Sequence, residues 1–278
     1  MIESCCVCGN RKLDEIVVSR RHDNADLFLS CPTCDVRIRV AEAPCNIEYY
    51  KWSSELDLDL FLRHRFLSFH GDESILNLFC GGNFIVFSCP RFRIDYADFS
   101  KDALPSGVSN DNWWQVGIED DHKYKSMGPI DHQYDIILLL DVLEHTKNPI
   151  ALLEFAKSLL KENGKILIET GNVDLLSLNG WYFHHSDHVL GLTMKTLNIT
   201  AAKCGLDVTS SLYVKNKMWL RSSRVKRFLI YVLRISKSLP SIRNIVYFFL
   251  KIDVQMLADP YLRDHIFVVF ENIHDTAP

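Results

Sequence analysis

The stretch YDIILLLDVLEHTKNPIALLEFAKSLLKENGKILIETGN, residues 134–172, carries the strongest fold signal in the chain. It begins with a nearly unbroken apolar run, which is typical of a parallel strand buried on both faces. A helix follows, because Asn148 is a suitable N-cap, Pro149 suits the first turn and apolar residues recur at helical spacing. Gly164 then predicts the end of this helix in a left-handed conformation, and residues 165–170 form the next strand. The pattern predicts two parallel strands joined by a helical crossover.

The same alternation of strands and helices extends to both sides of this stretch. An apolar run at residues 74–79 precedes it, and a helix that Thr193 opens and Gly205 closes follows it. Further strands are predicted at residues 206–214 and 265–270. We therefore predict an α/β fold with a doubly wound, mostly parallel sheet, in which ligands bind at the carboxyl ends of the strands.

Length and composition exclude several classes of protein. The 278 residues, 47% hydrophobic and 24% charged, suit one elaborated globular domain and exclude a disordered, collagen-like or coiled-coil chain. A net charge of −4 argues against a chain dedicated to nucleic acid. The sequence has neither a signal-peptide pattern nor an uninterrupted apolar run of about 18 residues, the length a membrane-spanning helix needs. These features predict a cytoplasmic protein with reduced thiols.

Two C-x-x-C motifs lie near the N-terminus, at Cys5 and Cys8 and at Cys31 and Cys34. Each two-residue spacer lets a tight turn direct two sulfur atoms at one point, so the motifs together predict a closed four-thiolate shell for a structural Zn²⁺. Unpaired thiols or a redox pair are the alternatives, and a redox pair is disfavoured because no βαβ pattern surrounds either motif. The predicted strands of this zinc-ribbon-like lobe are residues 15–18, 26–29 and 36–40.

Residues 134–172 resemble the middle of class I S-adenosylmethionine-dependent methyltransferases, through D-V-L-E-H…N-P followed by L-L-K-x-x-G-K-I-L-I-E-T. Residues 181–208 resemble a later segment of the same family, and the double C-x-x-C ahead of such a core is similar to bacterial sugar and polysaccharide-cluster methyltransferases. The resemblance covers most of the chain except about residues 215–260. It implies a seven-stranded Rossmann-like sheet, S-adenosylmethionine as cofactor and a saccharide or related small molecule as acceptor.

The glycine loop departs from the family pattern D-x-G-x-G-x-G. Gly81 matches the central glycine, whereas Phe79 and Asn83 replace the first and third. A bulky Phe79 is expected to restrict the approach of a ligand to the backbone, so a non-catalytic, methyltransferase-like binding protein is an alternative function. Asp98, or alternatively Asp95, is predicted to bind the ribose hydroxyls. By the resemblance, the cofactor-binding residues are Asn77, Phe79, Cys80, Gly81, Asn83, Asp98, Glu119, Asp141 and Glu144.

Two histidines are candidates for proton transfer. Methyl transfer requires the acceptor atom to lie in line with the methyl group, and a general base assists when the acceptor is a hydroxyl or an enolisable carbon. Similarity to sugar C-methyltransferases implies that His188 is this base, oriented by Asp187, with His145 as the second candidate. Alternatively, the L-E-H residues only shape the cofactor pocket.

Residues 215–252 contain ten basic residues and no acidic one, and they predict a basic amphipathic helix. Such a helix packs on the domain as a lid, binds a phosphorylated or nucleotide-linked substrate, or contacts an anionic membrane surface through residues 215–251. A peripheral membrane enzyme that methylates lipid-linked acceptors is therefore a further alternative, whereas nucleic acid is disfavoured as a partner. The predicted segments are a zinc-binding lobe (1–45), a linker or helical segment (46–72), a methyltransferase core (73–214 and 263–278) and a basic helical insertion (215–262).

Overall fold

The computed structural model describes residues 2–19, 25–40, 72–79, 93–100, 112–119, 123–128, 130, 132–174, 188–214 and 265–273. Within these ranges, twelve strands form a larger and a smaller sheet, accompanied by two α-helices and one 3-10 turn at Leu143–His145. The helices are α1 (Pro149–Ser158) and α2 (Met194–Lys203). The strands are β1 (Asp14–Ser19), β2 (Ala25–Ser30), β3 (Arg37–Arg39), β4 (Ser74–Leu78), β5 (Arg93–Asp98), β6 (Trp113–Ile118), β7 (Tyr124–Ser126), β8 (Tyr134–Leu140), β9 (Leu160–Gly171), β10 (Leu190–Gly191), β11 (Leu206–Val214) and β12 (His265–Asn272).

The larger sheet has eight strands in the order β11-β12-β9-β8-β4-β5-β6-β7. The strands β9, β8, β4, β5 and β6 run parallel to one another, and β7, β12 and β11 are antiparallel to their neighbours. The predicted mostly parallel α/β sheet is therefore present, but the expected count of seven strands is wrong for the described residues. The additional strand is β7, whose three residues at the sheet edge are too few to produce a periodic signal.

Both α-helices of the described residues begin where their predicted capping residues indicate. The Asn148 side chain accepts a hydrogen bond from the Ala151 backbone N–H at 3.0 Å, and Thr193 accepts one from the Thr196 N–H at 3.1 Å. Gly205 follows α2 with a φ of 63°, in the left-handed region that glycine adopts without strain. Local capping chemistry therefore sets these three boundaries.

The predicted role of Gly164 is wrong. Helix α1 ends at Ser158, and Gly164 lies inside β9 without a positive φ. A Cβ atom at this position would lie 2.7 Å from the Leu160 side chain and 2.9 Å from the Tyr134 carbonyl oxygen. Glycine is thus required because β9 passes close to β8, and not because a helix ends there.

The smaller sheet joins the cysteine-rich N-terminal segment to the core. Its order is β1-β2-β3-β10, and all its neighbours are antiparallel. The first three strands match the predicted ones, whereas β10 belongs to the methyltransferase-like segment and pairs Leu190 with Ile38. The Thr196 hydroxyl also donates to the Cys34 carbonyl oxygen at 2.8 Å, so backbone and side-chain hydrogen bonds both fasten the lobe to the core.

Several predictions fall outside the described residues. These are nearly all of the linker 46–72, the loop residues 80–83, Asp187 and the basic insertion 215–262. In the part of the chain that the structure describes, no helix is long and apolar enough to cross a membrane.

Candidate functional site

Several predicted residues lie together at the carboxyl ends of the parallel strands, here called the carboxyl edge of the larger sheet. Phe79 directly follows β4, Asp98 ends β5 and Asp141 directly follows β8. Because these strands run parallel, the three positions share the edge at which doubly wound sheets bind ligands. The structure therefore gathers residues that are far apart in sequence.

Asn77 is a buried polar residue near the end of β4. It is completely buried, and neither its amide nitrogen nor its amide oxygen has a hydrogen-bond partner among the described residues. An unsatisfied buried polar group costs about 1–3 kcal/mol, and such groups in native structures often mark a site that a ligand completes. The Asn77 amide therefore fits the predicted role of contacting S-adenosylmethionine.

Phe79 has the backbone conformation that a glycine would normally provide. Its φ is 58°, a left-handed value that costs a bulky residue about 1–3 kcal/mol. This positive φ lies at the position that the first glycine occupies in the family pattern. The Phe79 ring stacks on Phe99 with centroids 4.6 Å apart and lies 5.5 Å from the ring of Tyr124, so an aromatic cluster anchors it.

The two candidates for the ribose-binding carboxylate occupy different surroundings. Asp98 is buried at the end of β5, where it accepts a hydrogen bond from the Phe99 N–H at 2.7 Å. Asp95 lies inside the strand and accepts a hydrogen bond from the Tyr134 hydroxyl at 3.1 Å, and its Oδ2 is 3.0 Å from His132 Nε2. Asp95 thus makes contacts inside the core, whereas Asp98 lies at the carboxyl end of the strand, and the choice between them as the ribose-binding residue stays a prediction.

The remaining cofactor candidates among the described residues differ in exposure. Glu119 is exposed in the hairpin between β6 and β7, where its carboxylate pairs with Lys125. Asp141 is half-buried with a φ of 54°, and its backbone N–H donates to the Glu169 carbonyl at 2.9 Å. The cofactor-binding roles of Glu119 and Asp141 stay predictions, and of the two Asp141 lies directly after a parallel strand.

Glu144, His145 and His188 form a compact group, here called the Glu–His–His cluster. One carboxylate oxygen and one ring nitrogen of each histidine all lie within 4.8 Å of one another. The two imidazole rings meet edge to face with centroids 4.9 Å apart. Glu144 and His188 are buried and His145 is half-buried, so the cluster lies at the border between core and solvent.

Hydrogen bonds from several segments position this cluster. The Thr170 hydroxyl donates to Glu144 Oε2 at 3.0 Å, and the Val189 N–H donates to the Glu144 carbonyl at 2.8 Å. Arg39 of the N-terminal lobe donates through Nε to the His188 carbonyl at 3.0 Å. The 3-10 turn, β9, β3 and the segment before β10 are thereby held together around the cluster.

The predicted cysteine ligands are also brought together. Cys5 Sγ lies 3.4 Å from Cys34 Sγ, Cys8 Sγ lies 3.4 Å from Cys31 Sγ, and all four sulfur atoms are within 4.8 Å of one another. The hydrogen bond with Cys34 lowers the pKa of the Cys5 thiol to about 5, and the same contact raises the pKa of Cys34. Cys6 is not part of this group, and burial raises its pKa to about 12.

Sequence reasoning named the three members of the Glu–His–His cluster but not the residues that hold them. Glu144 was assigned to the cofactor pocket and the two histidines to proton transfer, whereas the structure places all three in one group. Thr170 is visible in sequence only as the end of a strand. Arg39 gives no signal, because its contact with His188 joins residues 149 positions apart.

Comparisons with known proteins agree with this architecture. A family model described as a methyltransferase domain matches residues 43–211, more than half of the chain. The ubiquinone biosynthesis O-methyltransferase of Ruegeria sp. (strain TM1040) is 28% identical over an alignment of 136 residues, and the match covers 46% of this chain and 53% of that protein. The enzyme of the same name from Glaesserella parasuis serovar 5 (strain SH0165) is 30% identical over 109 residues, 36% of this chain and 46% of that protein.

The chain spans about half the length of the curated relatives it matches. Among solved structures, it is similar to coclaurine N-methyltransferase bound to N-methylheliamine and SAH. That similarity has 16% sequence identity and a TM-score of 0.47, and it covers 77% of this chain and 72% of the other.

Proposed function

Because the chain belongs to the methyltransferase-domain family, we propose that it transfers a methyl group from S-adenosylmethionine to an oxygen atom of a small-molecule acceptor. The family resemblance predicted from residues 134–172 is confirmed by the match. The observation that carries the proposal is the set of strand ends itself: Asn77 and Asp98 are buried near the carboxyl ends of β4 and β5, and two members of the Glu–His–His cluster follow β8, which pairs with β4.

Two described residues suit the binding of S-adenosylmethionine. Asp98 would accept hydrogen bonds from the ribose hydroxyls, the role that an acidic residue at the end of the second strand has in nucleotide-binding sheets. The Asn77 amide would gain the hydrogen-bond partners that it lacks among the described residues. When bound, S-adenosylmethionine supplies a methyl group on a positively charged sulfur atom, so the protein has mainly to align the acceptor.

The acceptor oxygen would be held beside the Glu–His–His cluster. Histidine exchanges protons near neutral pH, and two imidazoles in contact offer a position for the proton of a hydroxyl group. The names of the curated relatives, which are O-methyltransferases, support oxygen as the accepting atom. A saccharide acceptor stays a prediction, as does the orientation of His188 by Asp187.

The four clustered cysteines would hold a structural Zn²⁺. Their number completes a tetrahedral shell and leaves no position for a substrate, so this ion would stabilise the lobe without taking part in methyl transfer. The small sheet would then carry that stability to the core through β10. Contact of residues 215–251 with an anionic surface stays a prediction.

Calorimetric titration with S-adenosylhomocysteine tests the proposal on the zinc-loaded chain. We expect one binding site per chain, and Asp98→Asn should weaken the affinity about 10- to 100-fold, because hydrogen bonds to a charged group contribute about 1.5–3 kcal/mol. Asp207→Asn is the matched control, since Asp207 is an exposed carboxylate on β11. Folded, zinc-loaded protein that binds neither S-adenosylmethionine nor S-adenosylhomocysteine would instead favour the non-catalytic alternative.

A further inference from the structure

We propose that Glu144, His145 and His188 together bind a divalent transition-metal ion at the carboxyl edge of the larger sheet. A carboxylate and two imidazoles form a ligand set that suits Mn²⁺, Fe²⁺, Co²⁺ or Zn²⁺. This ion would be distinct from the proposed Zn²⁺ of the four cysteines. The binding of the ion follows from the cluster alone, whereas its role toward an acceptor rests on the proposed methyl transfer.

The dimensions of the cluster are close to those of a coordination sphere. Ligand atoms bound about 2.1 Å from one ion lie up to about 4.2 Å apart when they are on opposite sides of it. The carboxylate oxygen and the two ring nitrogens already lie within 4.8 Å of one another. The separation of the three atoms thus exceeds that of a coordination sphere by about half an ångström or less, so one ion can draw them together.

The surroundings of Glu144 have the second feature expected of a metal site. Carboxylate ligands are usually oriented by a hydrogen bond from a neighbouring group, and the Thr170 hydroxyl donates such a bond to Glu144 Oε2 at 3.0 Å. Both residues are buried, so water competes little for this hydrogen bond. The backbones on either side are fixed as well, by the Val189 N–H on the Glu144 carbonyl and by Arg39 on the His188 carbonyl.

A site with three protein ligands leaves positions open for water or a substrate. A hydroxyl group bound there would have a lowered pKa, and its proton would pass to water, which leaves an oxygen nucleophile at neutral pH. The ring nitrogens that bind the ion cannot also accept this proton. In this arrangement the histidines act as ligands, and the ion takes over the activation of the acceptor that a histidine base would otherwise perform.

Electron paramagnetic resonance of Mn²⁺ provides a direct test on the full chain, loaded with a single equivalent of Zn²⁺ for the four cysteines, in the presence of S-adenosylhomocysteine. Excess Zn²⁺ is removed first, because it would bind the Glu–His–His cluster more tightly than Mn²⁺ does. Mn²⁺ prefers oxygen and nitrogen ligands to thiolates, so it will not displace Zn²⁺ from the cysteines. We expect about one Mn²⁺ per chain, and Glu144→Gln, His145→Ala and His188→Ala should each weaken its binding at least about 10-fold. His132→Ala is the matched control, because His132 contacts Asp95 outside the cluster and its loss should leave Mn²⁺ binding unchanged.

A further variant distinguishes loss of Mn²⁺ binding from loss of folding. Thr170→Val keeps the side-chain shape and removes only the hydrogen bond to Glu144, so the protein should remain folded while Mn²⁺ affinity falls about 10-fold. Wild-type protein that leaves all Mn²⁺ free, or cluster variants that bind it as well as the wild type, would overturn the proposal. Mn²⁺ binding without S-adenosylhomocysteine binding would support the metal site and contradict the methyl transfer. S-adenosylhomocysteine binding without Mn²⁺ binding would support the methyl transfer and contradict the metal site.

Discussion

The cysteine group and the Glu–His–His cluster assemble potential metal ligands in similar ways but with different chemistry. In both, the ligand atoms lie within 4.8 Å of one another. The cysteine group has four sulfur atoms, which would complete a tetrahedral shell, whereas the Glu–His–His cluster has three mixed ligands at the strand ends where doubly wound sheets generally bind ligands. Ligand number and position, more than proximity, therefore separate a structural site from one that can act on a substrate.

The two regions are also physically connected. Arg39 of β3 donates to the His188 carbonyl, and its own backbone N–H donates to the Val189 carbonyl at 2.9 Å. The Cys34 carbonyl accepts the Thr196 hydroxyl from α2. Buried residues of the lobe and of the core belong to one continuous apolar cluster. Hydrogen bonds from the lobe therefore help to hold the backbone around His188 in place.

Loss of a cysteine ligand should produce the largest effect. Cys34→Ser removes one of the four thiolates, and because structural zinc contributes about 10–16 kcal/mol in small zinc-binding peptides, we expect loss of zinc and unfolding of the lobe. Zinc content and amide hydrogen exchange of β1 to β3 measure this outcome. Cys6→Ser is the matched control, since Cys6 is outside the four-sulfur group, and it should retain one zinc per chain. A Cys34→Ser protein with full zinc content would remove the basis for calling this a closed four-thiolate site.

Replacement of Arg39 tests whether the lobe supports the Glu–His–His cluster. Arg39→Met preserves much of the buried side-chain volume but removes the hydrogen bond from Nε to the His188 carbonyl. We expect the affinity for Mn²⁺ to fall about 3- to 10-fold, in proportion to the roughly 1 kcal/mol of one hydrogen bond, while zinc content stays unchanged. Loss of zinc with unchanged Mn²⁺ binding would show that the two regions are independent. Lys195→Met, which alters an exposed side chain on α2 paired with Asp35, serves as the control.

Local sequence signals predicted the fold where local interactions decide it. The caps at Asn148 and Thr193 depend on hydrogen bonds to residues three positions away, and both were predicted correctly. The error at Gly164 has a non-local cause, because the Tyr134 carbonyl on β8 restricts the space beside it. The sequence gives no predicted range for β5, β6, β7 or β10. For the short β7 and β10 the reason is also non-local, since two or three residues owe their strand conformation to their partners.

The same distinction applies to the candidate sites. The spacing of the cysteines predicted their grouping, because each C-x-x-C motif determines its own turn and the two turns need only to meet. Glu144 and His145 were found from a motif, but their distance to His188 depends on the folded sheet. Thr170 donates to the Glu144 side chain and Arg39 donates to the His188 backbone carbonyl. Both contacts join distant segments, so no spacing rule in the sequence describes them.

The hydrogen bond between α2 and the cysteine lobe should have the smallest effect on the two groups of ligands, because its loss is expected to change stability and not metal content. Thr196→Val removes the buried hydroxyl that donates to the Cys34 carbonyl, so the free energy of unfolding in urea should fall by about 1–2 kcal/mol. Thr200→Val is the matched control, because the Thr200 hydroxyl donates to the Thr196 carbonyl within the same helix and its loss should cost less. Equal losses in the two variants would mean that the hydrogen bond across the boundary adds nothing beyond helix packing. A larger loss for Thr196→Val, with zinc and Mn²⁺ content unchanged, would show that the hydrogen bonds of this hydroxyl to the Cys34 carbonyl and to the Thr193 hydroxyl, 2.9 Å away, stabilise the chain without altering either group of ligands.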